Sequence, residues 1–198
     1  MIIKIVEQKS GGLCAVKKDK PVISIVGRSG AGKTTLLEKV IKRLKENGIK
    51  VAAVKHDAHR FEMDRPGKDT WRMAQAGADV VAISSSEKIA MIEKVAGEKS
   101  LDEVVAMLPD VDIVLTEGYR RGDKPKIEVY RSEVHKERLC SPEELLAIVS
   151  DVEWDDLDVP RYHLDDIDGI VGEIVRYLRT YGNNNKCPTS AAERGCGK

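Results

Sequence analysis

The chain has 198 residues, and 33 lysines and arginines balance 33 aspartates and glutamates, so its formal net charge is zero. A general nucleic-acid binder carries a basic excess, and that class is set aside. Hydrophobic residues make up 41%, enough to bury one sizeable core. No segment approaches the roughly 18 unbroken apolar residues of a membrane helix, and the opening MIIKIV is too short for a signal-peptide core. Cys14, Cys140, Cys187 and Cys196 form no C-x-x-C pair, which is neither a zinc pattern nor a dense disulfide framework. The expectation is a protein of the reducing cytoplasm, with neither membrane nor nucleic acid as partner.

Residues 1–20 read as an N-terminal extension, either a short strand (IIKIV) with its return (LCAVKK) or a loose arm. The main domain is expected over 21–181. PVISIVG, 21–27, is a nearly continuous apolar run ending in glycine, as in a strand buried on both faces of a parallel sheet. From Lys33 the period changes: Leu36, Leu37, Val40, Ile41 and Leu44 share one helical face. Asn47 and Gly48 end that helix. KVAAVKH predicts a second strand, and GKDTWRMAQAGA a short helix stopped at Gly77. DVVAISSS and KIAMIEKV are strands close enough to pair as a hairpin.

In SLDEVVAMLP, Ser100 and Glu103 have the spacing of a capping box, with Pro109 as terminator. VDIVLTEG is another buried strand. PKIEVYR alternates apolar and polar residues, as an edge or half-buried strand does. SPEELLAIVSD has a helix-like front and a strand-like back. RYHL fits a last short strand, and Ile167, Ile170, Val171, Ile174, Val175 and Leu178 mark a final helix. Residues 182–198 lack apolar periodicity and are expected to be a flexible tail. Strands alternating with helices predict an α/β fold, a mostly parallel twisted sheet with helices on both faces.

The strongest functional signal is GRSGAGKTT: Gly27, Arg28, Ser29, Gly30, Ala31, Gly32, Lys33, Thr34 and Thr35. It matches G-x-x-x-x-G-K-[ST] between a buried strand and an amphipathic helix. Its glycines permit close approach of the backbone to phosphate. Converging N–H groups and the helix N-terminus make an anion nest. Lys33 is a mobile point charge for the β- and γ-phosphates, and the Thr34 hydroxyl is placed to ligate Mg²⁺. Such a site needs a carboxylate that reaches the magnesium shell. Glu117 ends a buried strand in VDIVLTEGYR and is the candidate, acting on the metal or on an attacking water; a plain ion pair with Arg120 or Arg121 is the alternative.

VAAVKHDAHRF ends an apolar run in Lys55, His56, Asp57 and His59. Alone, that cluster can bind a metal, handle protons or sense a nucleotide. In a doubly wound sheet it emerges at the same carboxyl edge as the phosphate loop. Asp64, Asp69 and Arg72 follow closely. Asp57 is the second candidate for magnesium or its water.

These stretches occur in one order: IVGRSGAGKTTLLEKVI, VAAVKHDAH, DRPGKDTWRMAQAGADVV, LTEGYRRGDKPKIEVYR and LAIVSD. Together, with K-H-x-x-H, D-x-x-G-K-D-[ST]-x-R, A-G-A and T-E-G-[FY], they resemble the MobB family, molybdopterin-guanine dinucleotide biosynthesis protein B, over roughly 21–180. The resemblance implies a P-loop NTPase fold and a GTP-binding, weakly GTP-hydrolysing homodimer. It implies an accessory role in attaching GMP to molybdopterin, with the molybdenum cofactor guanylyltransferase as partner. By position, Gly32, Lys33, Thr34 and Thr35 would hold phosphate and Mg²⁺. Lys55, His56, His59, Asp64 and Arg72 would line the rest of the cleft. No complete N-K-x-D is present; Ser150 and Asp151 are in place to offer a carboxylate to the base. Arg28, Arg120 and Arg121 are candidates for a catalytic arginine, and Lys124, Lys126 and Arg131 for contact with the phosphate of molybdopterin. A small-molecule kinase and a metal-insertion chaperone GTPase using His56 and His59 remain alternatives on the same scaffold, as does a nucleotide-sensing module without turnover.

Overall fold

A computed structural model describes residues 19–57, 61–154 and 157–184. Residues 1–18 of the N-terminal arm and most of the proposed tail therefore lie outside the described residues, as does His59. The chain runs β1 (Val22–Val26), α1 (Lys33–Glu46), β2 (Val51–Lys55), α2 (Asp69–Gln75), β3 (Val80–Ser84), β4 (Ile89–Glu93), α3 (Leu101–Met107) and β5 (Ile113–Glu117). It continues with β6 (Lys126–Tyr130), a 3-10 turn at Pro142–Glu144, β7 (Leu145–Ser150), β8 (Arg161–His163) and α4 (Ile167–Asn184).

Six strands form one sheet in the order β2-β5-β1-β6-β7-β8, and every neighbouring pair is parallel. The chain first moves outward from β1 to β2, returns with β5, and crosses β1 to β6. This places the end of β1 at the crevice where strand order reverses, the usual ligand site of open α/β sheets.

One face of the sheet packs on α1 and α4. Ile23, Ile25, Leu115, Ile127 and Val149 meet Leu36, Val40, Leu44, Ile170 and Ile174 there. The opposite face carries α3, through Leu101 and Val105 against Val22 and Val114. The capping box predicted for α3 is present: Ser100 Oγ accepts from the Glu103 nitrogen, and the Glu103 carboxylate accepts from the Ser100 nitrogen. The ambiguous SPEELLAIVSD resolves as a 3-10 turn followed by a strand.

The position expected for PKIEVYR needs correcting. β6 is an interior strand between β1 and β7, with all five residues buried. Its polar residues face loop rather than water. Lys126 Nζ donates to the Gly122 carbonyl and to Glu144 Oε1, both at 2.8 Å. The Glu128 carboxylate accepts from the backbone nitrogens of Leu139 at 2.7 Å and Cys140 at 3.0 Å. A period of two shows which face is polar, but a polar face closed by hydrogen-bonding loops is as buried as an apolar one.

Lys126 holds the Glu144 carboxyl down at about 2, aided by the Ser141 N–H and hydroxyl and against the cost of burial. Because this value is depressed in the folded state, the stabilisation is present above the ordinary carboxylate value and is lost as pH falls through the folded one. Urea unfolding should therefore show stability declining between about pH 4.5 and about pH 2. Glu144→Gln should flatten part of that slope; an unchanged slope would show that the pair does not contribute.

The segment β3–β4 forms a separate antiparallel hairpin, as its spacing predicted. Its residues Ile83, Ile89 and Met91 are each more than half exposed. A lone two-stranded ribbon is marginally stable in water, and its free edges invite pairing.

Candidate nucleotide site at the carboxyl edge of the sheet

The chain leaves β1 at Val26, turns through 27–32 and enters α1 at Lys33. Gly27 packs directly on β6: a β-carbon there would sit 2.5 Å from the Val129 carbonyl oxygen, at a φ of +153°. Ala31 is fully buried, and its nitrogen donates to the Arg28 carbonyl at 3.2 Å. Lys33 Nζ donates to the same carbonyl at 2.9 Å. The lysine thus folds back over the loop that it closes, with its charge above the nest. Arg28, Ser29 and Gly30 are exposed along the outer rim.

Parallel register explains the next contacts. Ile25 of β1 lies beside Glu117 of β5, which lies beside Lys55 of β2. The Thr34 hydroxyl donates to Glu117 Oε2 at 2.8 Å, and Lys55 Nζ stands 3.6 Å from Glu117 Oε1. A helix-start hydroxyl and a strand-end carboxylate, from residues far apart in sequence, therefore converge beside the phosphate loop. Both are hard oxygen donors, which suits Mg²⁺; that ion takes few protein ligands and fills its shell with water and phosphate oxygens. Among the described residues no group of three or more His, Cys, Asp or Glu side chains is arranged to hold a metal.

His56 belongs to the same neighbourhood. Its nitrogen donates to the Glu117 carbonyl at 2.9 Å. Its Nε2 lies 2.7 Å from Glu98 Oε1, and its ring stands 4.7 Å from that of Tyr119. Tyr119 has a φ of +55°, the single positive value outside glycine among the described residues. Such strain gathers where a site fixes its backbone. Asp57 follows at the exposed end of β2.

Asp64 and Arg72 sit further along and make local contacts. Asp64 Oδ1 accepts from the Arg65 nitrogen, and Asp64 lines a hollow with Phe61, Met63, Trp71, Val81 and Ile92. Arg72 lies 4.0 Å from Asp69 on α2. Of the arginines considered for catalysis, Arg120 donates to the Leu139 carbonyl at 2.9 Å, while Arg28 and Arg121 are exposed.

Beyond β7 and β8 lies a cavity of about 480 Å³ lined by residues including Ser150, Asp151, Trp154, Tyr162 and His163. Asp151 accepts from the Ser132 nitrogen at 2.9 Å and the Ser132 hydroxyl at 3.0 Å. Partial burial opposes its charge, yet these bonds outweigh it and hold the carboxyl below the usual range.

His135 gave no signal in the sequence, and Arg131, considered there only for the phosphate of molybdopterin, lies beside the phosphate loop. The backbone nitrogen of Arg28 donates to His135 Nε2 at 2.9 Å, and Arg131 Nη2 lies 3.6 Å from where a β-carbon on Gly32 would be. Neither belongs to a spaced motif. Only the pairing of β6 with β1 brings their loop to the phosphate loop.

A parallel sheet, a glycine-rich phosphate loop leading into α1, and a strand-end carboxylate against the first helical hydroxyl define a P-loop nucleotide-binding protein. Residues 22–151 match the family model "Molybdopterin guanine dinucleotide synthesis protein B". The chain belongs to this family, MobB. It is 37% identical over 132 residues to the molybdopterin-guanine dinucleotide biosynthesis adapter protein of Haemophilus influenzae, covering 66% of this chain and 74% of that one. The corresponding adapter protein of Escherichia coli is 32% identical over 165 residues, 80% of this chain and 94% of the other. A crystal structure of molybdopterin-guanine biosynthesis protein B superposes with a TM-score of 0.63 at 32% identity, covering 80% of this chain and 99% of that one. The fold is shared too with Bacillus subtilis MobB, at a TM-score of 0.61 and 24% identity over 77% of this chain and 97% of that one. Among the described residues no helix is long and apolar enough to cross a membrane.

Proposed function

We propose that this chain is a GTP-binding adapter in the conversion of molybdopterin to molybdopterin guanine dinucleotide, with slow Mg²⁺-dependent hydrolysis of GTP. The observation that carries the reading is the Thr34–Glu117 contact at the mouth of the phosphate loop, in a chain of the MobB family. The nest formed by 27–35 cradles the β- and γ-phosphates, and Lys33 swings from the Arg28 carbonyl to meet them. Mg²⁺, when bound, neutralises developing charge on the phosphates; Thr34 and Glu117 are the residues that hold it. Asp57 orients a water for in-line attack. Lys55 and His56, beside Glu117, recognise phosphate or pterin, a role shared by His59, with Asp64 and Arg72 contributing to the same recognition. The cavity at Ser150 and Asp151 receives the guanine, whose N1–H and 2-amino group suit a carboxylate acceptor. The guanylyltransferase step belongs to a partner protein.

The test is calorimetric titration with Mg-GTP and Mg-ATP, together with capture of the pathway's guanylyltransferase on immobilised protein. Preferential GTP binding with capture supports the adapter reading. Stoichiometric phosphoryl transfer to a pterin or nucleoside would replace it with a kinase. A transition-metal chaperone has weaker support, because His56 Nε2 already faces Glu98.

The same reading includes a homodimer, with the exposed apolar hairpin β3–β4 seated on that of a second copy. Burying Ile83, Ile89 and Met91 in this way removes from water a patch that a solvated ribbon cannot cover for itself. Met91→Lys should shift the protein to a monomer in analytical ultracentrifugation without lowering GTP affinity. A variant that sediments like wild type would move the interface elsewhere.

A further inference from the structure

His135 lies in the loop after β6 and is only 3% exposed. Its Nε2 receives the Arg28 N–H at 2.9 Å. A backbone N–H can only donate, so Nε2 carries no proton. In the neutral ring the proton is then on Nδ1, which lies 3.2 Å from the Arg131 carbonyl and donates to it. The Arg131 nitrogen, 3.3 Å from the same Nδ1, is excluded as its donor by that tautomer. The ring is held in place by Tyr130, whose hydroxyl donates to the His135 carbonyl at 3.2 Å and whose ring lies 4.9 Å away.

Arg28 is therefore gripped from both sides. Its N–H goes to His135, and its carbonyl receives Lys33 Nζ and the Ala31 N–H. The His135 bond uses a donor at the start of the loop, and the N–H groups nearer the helix start stay available to an anion. Beside it, the Arg131 guanidinium reaches Gly32, and its Nε is buried with no hydrogen-bond partner. A buried, unpartnered donor next to an anion nest is costly unless charge arrives to offset it.

We propose that the loop after β6 is a working part of the phosphate site: His135 is a positioning residue that sets the shape of the phosphate loop through Arg28, and Arg131 brings positive charge to the phosphate chain at Gly32. The proposal rests on the nucleotide-binding reading and deepens it. It identifies an arginine of the same chain for the phosphate chain, whereas Arg120 is engaged by the Leu139 carbonyl.

The test uses the full chain and two probes, Mg-GTP and inorganic tripolyphosphate, which isolates the phosphate part of recognition. Glutamine can place its oxygen where Nε2 lies, whereas asparagine reaches only the Nδ1 position. His135→Gln should bind both probes within about threefold of wild type, and His135→Asn about tenfold more weakly, the scale of one lost hydrogen bond that orders a site. Arg131→Gln should weaken both probes and reduce the salt dependence of binding while leaving the melting temperature in place. Amide exchange at Arg28, slow in wild type and His135→Gln but fast in His135→Asn, reports the bond itself without any ligand. Equal affinity in His135→Asn and wild type, or equal weakness in the Asn and Gln variants, would overturn the role given to His135. An unchanged Arg131→Gln would overturn that of Arg131. Wild-type protein that bound neither probe would instead overturn the nucleotide reading beneath them.

Discussion

Lys33→Ala is expected to lower the affinity for Mg-GTP by roughly 100-fold or more while leaving the fold in place. A charge-assisted hydrogen bond contributes about 1.5–3 kcal/mol, and a lysine meeting two phosphates makes about two of them. Each 1.4 kcal/mol is about a factor of ten in affinity. Little in the resting protein depends on the side chain: its Nζ donates to the Arg28 carbonyl at an exposed position, and alanine is a good residue for the first turn of α1. Calorimetric titration and a thermal melt, run together, separate the two effects. Lys33→Arg should not rescue binding, because a planar fork does not replace a compact ammonium in a closed nest. Wild-type affinity in Lys33→Ala would remove the phosphate loop from the mechanism.

Gly27→Ala should act in the opposite way, through stability first. The new β-carbon would lie 2.5 Å from the Val129 carbonyl oxygen, and Val129 lies within β6, paired with Val149 of β7 and fully buried. Neither partner can step aside. Backbone strain costs about 1–3 kcal/mol, and overpacking costs about 1–3 kcal/mol more. For a domain of this size the melting temperature should fall by roughly 5–20 °C. Gly30→Ala is the control: its φ of +81° is also strained, but nothing lies within 4 Å of the added carbon, so its loss should be much the smaller. Similar melting of the two variants would show that the loop does not rest on β6 as described.

The phosphate loop was legible because each of its steps is local: an apolar run, a glycine spacing, then a helical period. Glu117 was legible for the same reason, as the charge that ends a buried run. The hairpin followed from its spacing, and α3 from Ser100 and Glu103. Strand order was not legible, since nothing in PKIEVYR says that it lies between β1 and β7. Alternation made Lys126 and Glu128 look like solvent-facing residues, although Gly122, Leu139, Cys140 and Glu144 are their partners. His135 was hidden by the same gap, as was the place of Arg131 beside Gly32: their contacts with 28 and 32 span about half the chain. Asp64 and Arg72 looked near His56 in sequence, yet their contacts run within the segment that carries α2 and the hairpin. The family resemblance supplied the adapter role, which no pattern of spacing contains.

The two faces of the sheet also differ in when they can close. One is an apolar interlock of α1 and α4, able to collapse without regard to direction. The other carries the Ser24–Thr116 hydroxyl pair, Lys126 and Glu128; α3 covers one part of it, and around Lys126 and Glu128 it is closed by loops that must arrive in register before each polar atom has its partner. This side is expected to complete late in folding, with the loop that carries His135. If so, the glycine-rich loop would take its final shape in the last phase of refolding, and nucleotide binding should be regained with that phase and not before it.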